Sequence, residues 1–97
     1  MIRIVKMEFE PEKVDEFLKY FETIKEKVRA QEGCHHLELL QDINTPHVLF
    51  TYSIWDDESY LNKYRNTSFF KEVWTNTKKH FNAKPGAWSV QTIAKLN

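Results

Sequence analysis

Polar and apolar positions alternate near the start of the chain, which predicts a β-strand from Ile2 to Phe9. After Pro11, a residue tolerated in a first helical turn, apolar residues recur at helical spacing as far as Val28 and predict an amphipathic helix. Gly33 is expected to end this helix, because glycine is common in C-terminal caps.

The middle of the chain has the features of a β-hairpin followed by a helix. Two strand-like segments, Cys34 to Gln41 and His47 to Trp55, flank the turn-rich residues 42–46. Asp56 or Asp57 then provides an N-terminal cap for the next helix.

The last third of the chain predicts a second helical segment and a fourth strand. Residues 66–68 interrupt the helical spacing and start the segment that carries residues 69–81, and residues 82–86 end it. The strand is predicted over Ala87 to Ala94. The resulting order, βαββαβ, indicates a single α+β domain over residues 1–97 with a ferredoxin-like fold. Right-handed crossovers then place the helices on one face of a four-stranded antiparallel sheet.

The helix-free face of this sheet is predicted to be apolar. The third strand shows this most clearly, with Val48, Phe50, Tyr52 and Ile54 on one side and Leu49 and Trp55 on the other. Soluble monomers rarely expose an apolar patch of that size. A two-fold contact needs only one self-complementary patch, so the pattern predicts a homodimer.

Charge and cysteine content narrow the classes of function. The 97 residues include 14 acidic and 14 basic side chains, and the net charge of zero argues against nucleic-acid and membrane-surface binding. The single cysteine, Cys34, excludes an internal disulfide and suits a reducing compartment. With no long apolar run and with charges inside the first strand, we expect a cytoplasmic protein.

The segment from Gly33 to Phe70 resembles the antibiotic biosynthesis monooxygenase (ABM) family. The matching positions are Gly33-Cys34, Leu40 to Asp42, Pro46, Leu49 to Trp55, Asp57, Tyr60-Leu61, Tyr64 and Ser68 to Phe70. The resemblance implies a dimeric α+β barrel with a pocket between the sheet and the helices of each subunit. It also implies oxidation of quinols or polyphenols by molecular oxygen without a metal or flavin, so no cofactor is expected. The first strand lacks the asparagine on which haem-degrading members rely.

The resemblance and the 14 aromatic side chains indicate a cofactor-independent monooxygenase for a small aromatic, quinol-like substrate. Such a site needs an apolar slot, a proton relay and donors for an oxyanion. Tyr64 stands where many members have a histidine and would orient the substrate, and His80 is the candidate proton relay. The expected substrate contacts are Tyr52, Trp55, Phe70 and Trp74 as walls and Ser68, with Arg65, at the mouth; Trp88 is also expected near the pocket.

Two other functions stay open at this point. One is a non-oxygenase small-molecule enzyme, such as an isomerase, in which His80 or His36 moves protons. The other is a non-catalytic binding dimer whose aromatic residues only fill space, which predicts no ligand-sized void. A metal site is not expected, because the group of His36, Cys34 and Glu38 on one predicted strand face resembles a metal site only loosely and no second cluster has zinc-like spacing.

Overall fold

The computed structural model describes residues 1–97 as a four-stranded antiparallel sheet with helices packed on one face. The strands follow the spatial order β2-β3-β1-β4, which confirms the predicted ferredoxin-like topology. The elements in chain order are β1 (Ile2–Glu8), a turn of 3-10 helix (Pro11–Lys13), α1 (Val14–Arg29), β2 (Cys34–Gln41), β3 (Val48–Trp55), α2 (Glu58–Arg65), α3 (Ser68–Lys78) and β4 (Gly86–Val90). None of the helices combines the length and the apolar character needed to cross a bilayer.

The pairing register assigns each strand residue to one face of the sheet. Met7 of β1 lies beside Leu49 of β3, and Val5 lies beside Ala87 of β4. Because side chains alternate along a strand, the odd-numbered residues of β1 and β3 face the helices together. Met7 and Leu49 pack with Phe9 and with Phe17 of α1 in one buried cluster. A second cluster joins Val28, Cys34, Trp55, Leu61 and Tyr64.

Two helix starts agree with the capping residues in the sequence. The Asp57 carboxylate accepts a hydrogen bond from the Ser59 backbone N–H at the start of α2. The Thr67 hydroxyl accepts one from the Phe70 backbone N–H, 3.0 Å away, at the start of α3. Each bond satisfies an N–H group that has no partner inside its own helix.

Three predicted boundaries are wrong. Helix α1 ends at Arg29, and its C-terminal cap is Ala30 and not Gly33. Gly33 instead lies in the turn before β2 with a φ of 82°, where a Cβ would approach the Tyr60 ring to 2.4 Å. Helix α3 ends at Lys78, so residues 79–81 lie beyond it. Strand β4 ends at Val90 and not at Ala94, because its partner β1 begins at Ile2, the residue opposite Val90.

A bulge at the start of β2 makes one prediction wrong, that Cys34 and His36 share a face of the strand. The register shifts between Cys34 and His36, so Cys34 pairs with Trp55 and packs on the helix side. His36 pairs with Ile54 on the helix-free side. Cys34 therefore does not share a face with His36 and Glu38, because the extra residue changes the alternation.

The helix-free face of the sheet is largely apolar, as predicted. Leu40 and Val90 are each 40% exposed and Trp88 is 50% exposed. The register places them with Ile2, Ile4, Val48, Phe50, Tyr52 and Ile54. The Trp88 indole folds over Gly86, where a Cβ would approach it to 2.5 Å.

Candidate functional site

A cavity of about 350 Å³ lies between the helix-facing side of the sheet and the helices. All four strands and all three α-helices contribute to its lining, which is mostly apolar. Its volume is at the lower end of the roughly 300–1,000 Å³ typical of small-molecule sites. Ala87 and Arg65 line the cavity and are exposed, so it reaches solvent beside them.

Four aromatic side chains form a continuous wall of this cavity. Trp55 stacks on Tyr64 with ring centres 5.5 Å apart, and Phe70 meets Tyr64 edge-on at 5.1 Å. Phe70 in turn lies parallel to Trp74 at 6.3 Å. Trp55 ends β3, Tyr64 lies in α2, and the other two lie one turn apart in α3. The helix break at residues 66–68 is what brings the two helices onto one wall.

A buried hydrogen bond fixes the Trp55 ring in this wall. Its indole Nε1–H donates to the Ser53 hydroxyl oxygen at 2.9 Å, two residues earlier on the same face of β3. Both residues line the cavity. The Ser53 hydroxyl hydrogen is not used by this bond and can point into the cavity.

The Tyr64 hydroxyl is a donor that remains protonated. Burial, and to a smaller extent the nearby Cys34 thiol and Tyr20, raise the pKa of Tyr64 above its usual value of about 10. Every side-chain nitrogen or oxygen atom that is fully buried has a hydrogen-bond partner. The Tyr64 hydroxyl has no hydrogen-bond partner in the protein. It is therefore not fully enclosed, and the residue that carries it lines the cavity. Tyr64 can donate a hydrogen bond there but cannot act as a base near neutral pH.

The only charged residues that line the cavity are two arginines, Arg3 and Arg65. Arg65 was predicted to lie at the pocket mouth, whereas Arg3 was not among the predicted site residues. The signal was present: residue 3 has the same parity as Val5 and Met7, so the alternation of β1 places an arginine on the apolar, helix-facing side.

The structure brings some of the predicted site residues together and leaves others elsewhere. Tyr64, Trp55, Phe70 and Trp74 line the cavity, whereas Tyr52, Ser68 and His80 do not. Tyr52 lies on the helix-free face, because residue 52 has the opposite parity to 51 and 53. There it lines a groove beside Ile54 and the C-terminal segment.

Ser68 and His80 are displaced for local reasons. Ser68 is exposed in the first turn of α3. His80 is buried in the turn after α3, where its backbone oxygen accepts a hydrogen bond from the Glu10 N–H at 2.9 Å. Trp88, also expected near the pocket, lies on the helix-free face beside Ile4.

The histidines of β2 pair with separate carboxylates. His35 contacts Asp56 at 2.6 Å, and His36 contacts Glu38 at 2.5 Å on the helix-free face. No three side chains of the types His, Cys, Asp and Glu come together in a group. The residues around the cavity supply hydroxyl, indole and guanidinium donors rather than a metal-ligand set.

Comparisons with known proteins agree with this fold. A sequence profile of a family described as antibiotic biosynthesis monooxygenase matches residues 1–76. A comparison with curated proteins finds no significant match.

Solved structures superpose on most of the chain. A conserved protein from Methanosarcina mazei Go1 is 28% identical, with a TM-score of 0.82 over 89% of this chain and 86% of that chain. A protein described as an antibiotic biosynthesis monooxygenase is 19% identical, with a TM-score of 0.87 over 97% and 100% of the two chains. The protein PA3566 from Pseudomonas aeruginosa is 18% identical, with a TM-score of 0.82 over 96% and 93%.

Proposed function

Because the chain belongs to the antibiotic biosynthesis monooxygenase family, we propose that it is a cofactor-independent monooxygenase for a small aromatic, quinol-like substrate. The cavity between the helices and the sheet is the proposed site. The observation that carries this proposal is the combination of an aromatic wall with the accessible, protonated hydroxyl of Tyr64. A flat aromatic substrate fits against Trp55 and Phe70, and its oxygen accepts a hydrogen bond from Tyr64.

The reaction requires a substrate that supplies its own electrons. A phenol with a free ring position gives a quinone, because its C–H becomes C=O and its C–OH becomes C=O. One oxygen atom of O₂ enters the product and the other leaves as water, so the four electrons lost by the ring are those taken up by O₂. The protein promotes this by stabilising the phenolate, from which electron transfer to O₂ is easiest.

The residues of the cavity suit the formation of that phenolate. Tyr64 donates to the developing oxyanion, and the positive charges of Arg3 and Arg65 lower the energy of any anion in the cavity. The phenolic proton passes to solvent where the cavity opens beside Ala87. No histidine is needed for this step, and none lines the cavity.

The two alternative functions fit the site less well. An isomerase that moves protons with His80 or His36 would need one of them in the cavity, and neither lines it. A non-catalytic dimer whose aromatic residues only fill the core predicts no ligand-sized void, whereas the cavity measures about 350 Å³.

The proposal includes a homodimer formed through the helix-free sheet face. Nine apolar side chains of the four strands lie there without any helix above them. A second copy would remove this surface from water at roughly 25 cal/mol per Å² of apolar area. The polar groups on the same face are Lys6, Glu8 and the His36–Glu38 pair, so apolar side chains outnumber them and the contact is mostly apolar.

Oxygen uptake tests the proposed reaction. Naphthols and reduced naphthoquinols with a free ring position should consume O₂ faster with the protein than in buffer. Tyr64→Phe should lower the rate roughly 10²-fold, the usual cost of removing one oxyanion donor. Tyr52→Phe is the matched control, because it removes a tyrosine hydroxyl outside the cavity. Rates equal to buffer across the panel, or equal losses in the two variants, would contradict the proposal.

A further inference from the structure

We propose that Arg3 and Arg65 form an anion-binding end of the cavity and that the natural substrate is an aromatic carboxylate. This inference rests on the proposed function in one respect, that the cavity is the substrate site. It adds the chemical class of the substrate: a phenolic ring against the aromatic wall and a carboxylate on the two guanidinium groups.

The position of Arg3 is fixed by the sheet. It lies in the central strand β1, between Ser53 of β3 and Ser89 of β4, on the face that the helices cover. A charged residue at such a position is costly unless it has a partner or a function. Both flanking residues are small serines, so no bulky neighbour separates the guanidinium group from the cavity.

The Arg3 guanidinium group has donors to spare. Its hydrogen bond is from Nη1 to the Ser89 hydroxyl oxygen, at 3.0 Å. A guanidinium group carries several N–H donors in a planar fork that matches a carboxylate. No carboxylate lies within ion-pair distance of Arg3 or Arg65, although the chain forms six ion pairs elsewhere.

The charges around these two arginines favour an incoming anion. Burial lowers the pKa of Arg3, and the positive charge of Arg65 lowers it further, so the two guanidinium groups repel each other. Glu58, in the first turn of α2, is the acidic group that opposes this effect. It does not line the cavity, and no other acidic residue does. A carboxylate between the arginines would replace a repulsion by two attractions.

The anion-binding end adjoins the aromatic wall through the chain itself. Arg65 follows Tyr64 directly in α2, and Arg3 lies opposite Ser53, whose hydroxyl holds the Trp55 ring. One molecule can therefore place a ring on Trp55 and a carboxylate on the arginines. The carboxylate would fix the orientation of the ring, so that the phenolic oxygen meets the Tyr64 hydroxyl.

Equilibrium binding with a matched pair of probes tests this inference. The probes are 1-hydroxy-2-naphthoate and its neutral amide, 1-hydroxy-2-naphthamide, titrated by calorimetry without oxygen so that no turnover is needed. The carboxylate should bind at least about tenfold more tightly than the amide, as expected for charge-assisted hydrogen bonds. Added salt should weaken the binding of the carboxylate and leave the binding of the amide unchanged.

Variants assign the difference to the two arginines. Arg3→Met and Arg65→Met should each reduce carboxylate affinity about tenfold and leave amide affinity within about twofold. Lys71→Met is the matched control, since it removes a positive charge from an exposed site on α3 outside the cavity. Arg65 is exposed, so its variant should remain folded even if Arg3→Met does not, which circular dichroism will show.

Other outcomes would overturn the inference. They are equal affinity of the protein for the two probes, an equal loss of affinity for both probes in the arginine variants, and no binding of either probe. A carboxylate preference without any oxygen uptake would instead support the anion site and contradict the monooxygenase proposal. Turnover of neutral naphthols with no preference for the carboxylate would support the monooxygenase proposal and contradict the anion site.

Discussion

At the scale of single residues, the chemistry of the site depends on where the alternation of two strands places each side chain. Residues 51, 53 and 55 of β3 face the cavity, whereas Tyr52 faces away from it. The same rule assigns Arg3 to the cavity side of β1. Parity was readable in the sequence and separates Tyr52 from Trp55, so the prediction that both line one pocket was wrong whichever face the helices cover.

Tyr64 offers a prediction on stability at high pH. Its pKa is raised in the folded protein, so above about pH 10 the unfolded chain loses a proton that the folded chain retains. The stability due to this group is fully present below that pH and falls as the pH rises, by about 1.4 kcal/mol per unit. Urea unfolding at about pH 8 and about pH 11 should show a smaller loss for Tyr64→Phe than for wild type. Equal losses would mean that Tyr64 ionises as easily folded as unfolded.

At the scale of elements, the break between α2 and α3 positions the aromatic wall. The Thr67 hydroxyl donates to the Tyr64 carbonyl oxygen at 2.7 Å and accepts from the Phe70 N–H. One side chain therefore joins the last turn of α2 to the first turn of α3. The sequence predicted this break, since residues 66–68 are poor helix formers with capping side chains. It did not predict the bulge at Cys34, because an extra residue in a strand leaves the apolar pattern ambiguous.

Removal of this connection should cost stability and loosen the site. Thr67→Ala should destabilise the fold by about 1 kcal/mol, a lowering of the melting temperature of about 4–8 °C for a chain of this size. It should also weaken binding of aromatic probes, because Phe70 loses its position against Tyr64. Ser68→Ala is the control: the next hydroxyl is exposed and caps nothing. Similar melting temperatures for the two variants would show that the Thr67 bonds contribute no net stability.

At the scale of the whole molecule, the sheet serves two purposes with its two faces. One face closes the cavity with the helices, and the other carries apolar residues that no helix covers. Topology and the apolar second face followed from the spacing of apolar residues, as the strand order and the exposed Trp88 confirm. The family resemblance implied a pocket between the sheet and the helices, but the spacing of apolar residues could not give its size, since a void depends on how far the helices stand from the sheet.

The helix-free face predicts the oligomeric state of the protein in solution. Native mass spectrometry should show a dimer, and Phe50→Glu should convert it to a monomer by burying a charge in the contact. Phe50 lies on the helix-free face, so this change leaves the core of each subunit intact. Ile43→Glu is the control, because Ile43 is 93% exposed in the loop between β2 and β3. A monomeric wild-type protein would contradict the proposed assembly.

The central claim is that the cavity oxidises an aromatic substrate with molecular oxygen, and labelling with ¹⁸O₂ tests it most directly. The substrate is a naphthol or reduced naphthoquinol with a free ring position, and the product is analysed by mass spectrometry. We predict a quinone that carries one labelled oxygen atom, with the second labelled atom released as water. The yield should be strongly reduced with Tyr64→Phe. An unlabelled product, or hydrogen peroxide in amounts equal to the oxygen consumed, would contradict the claim.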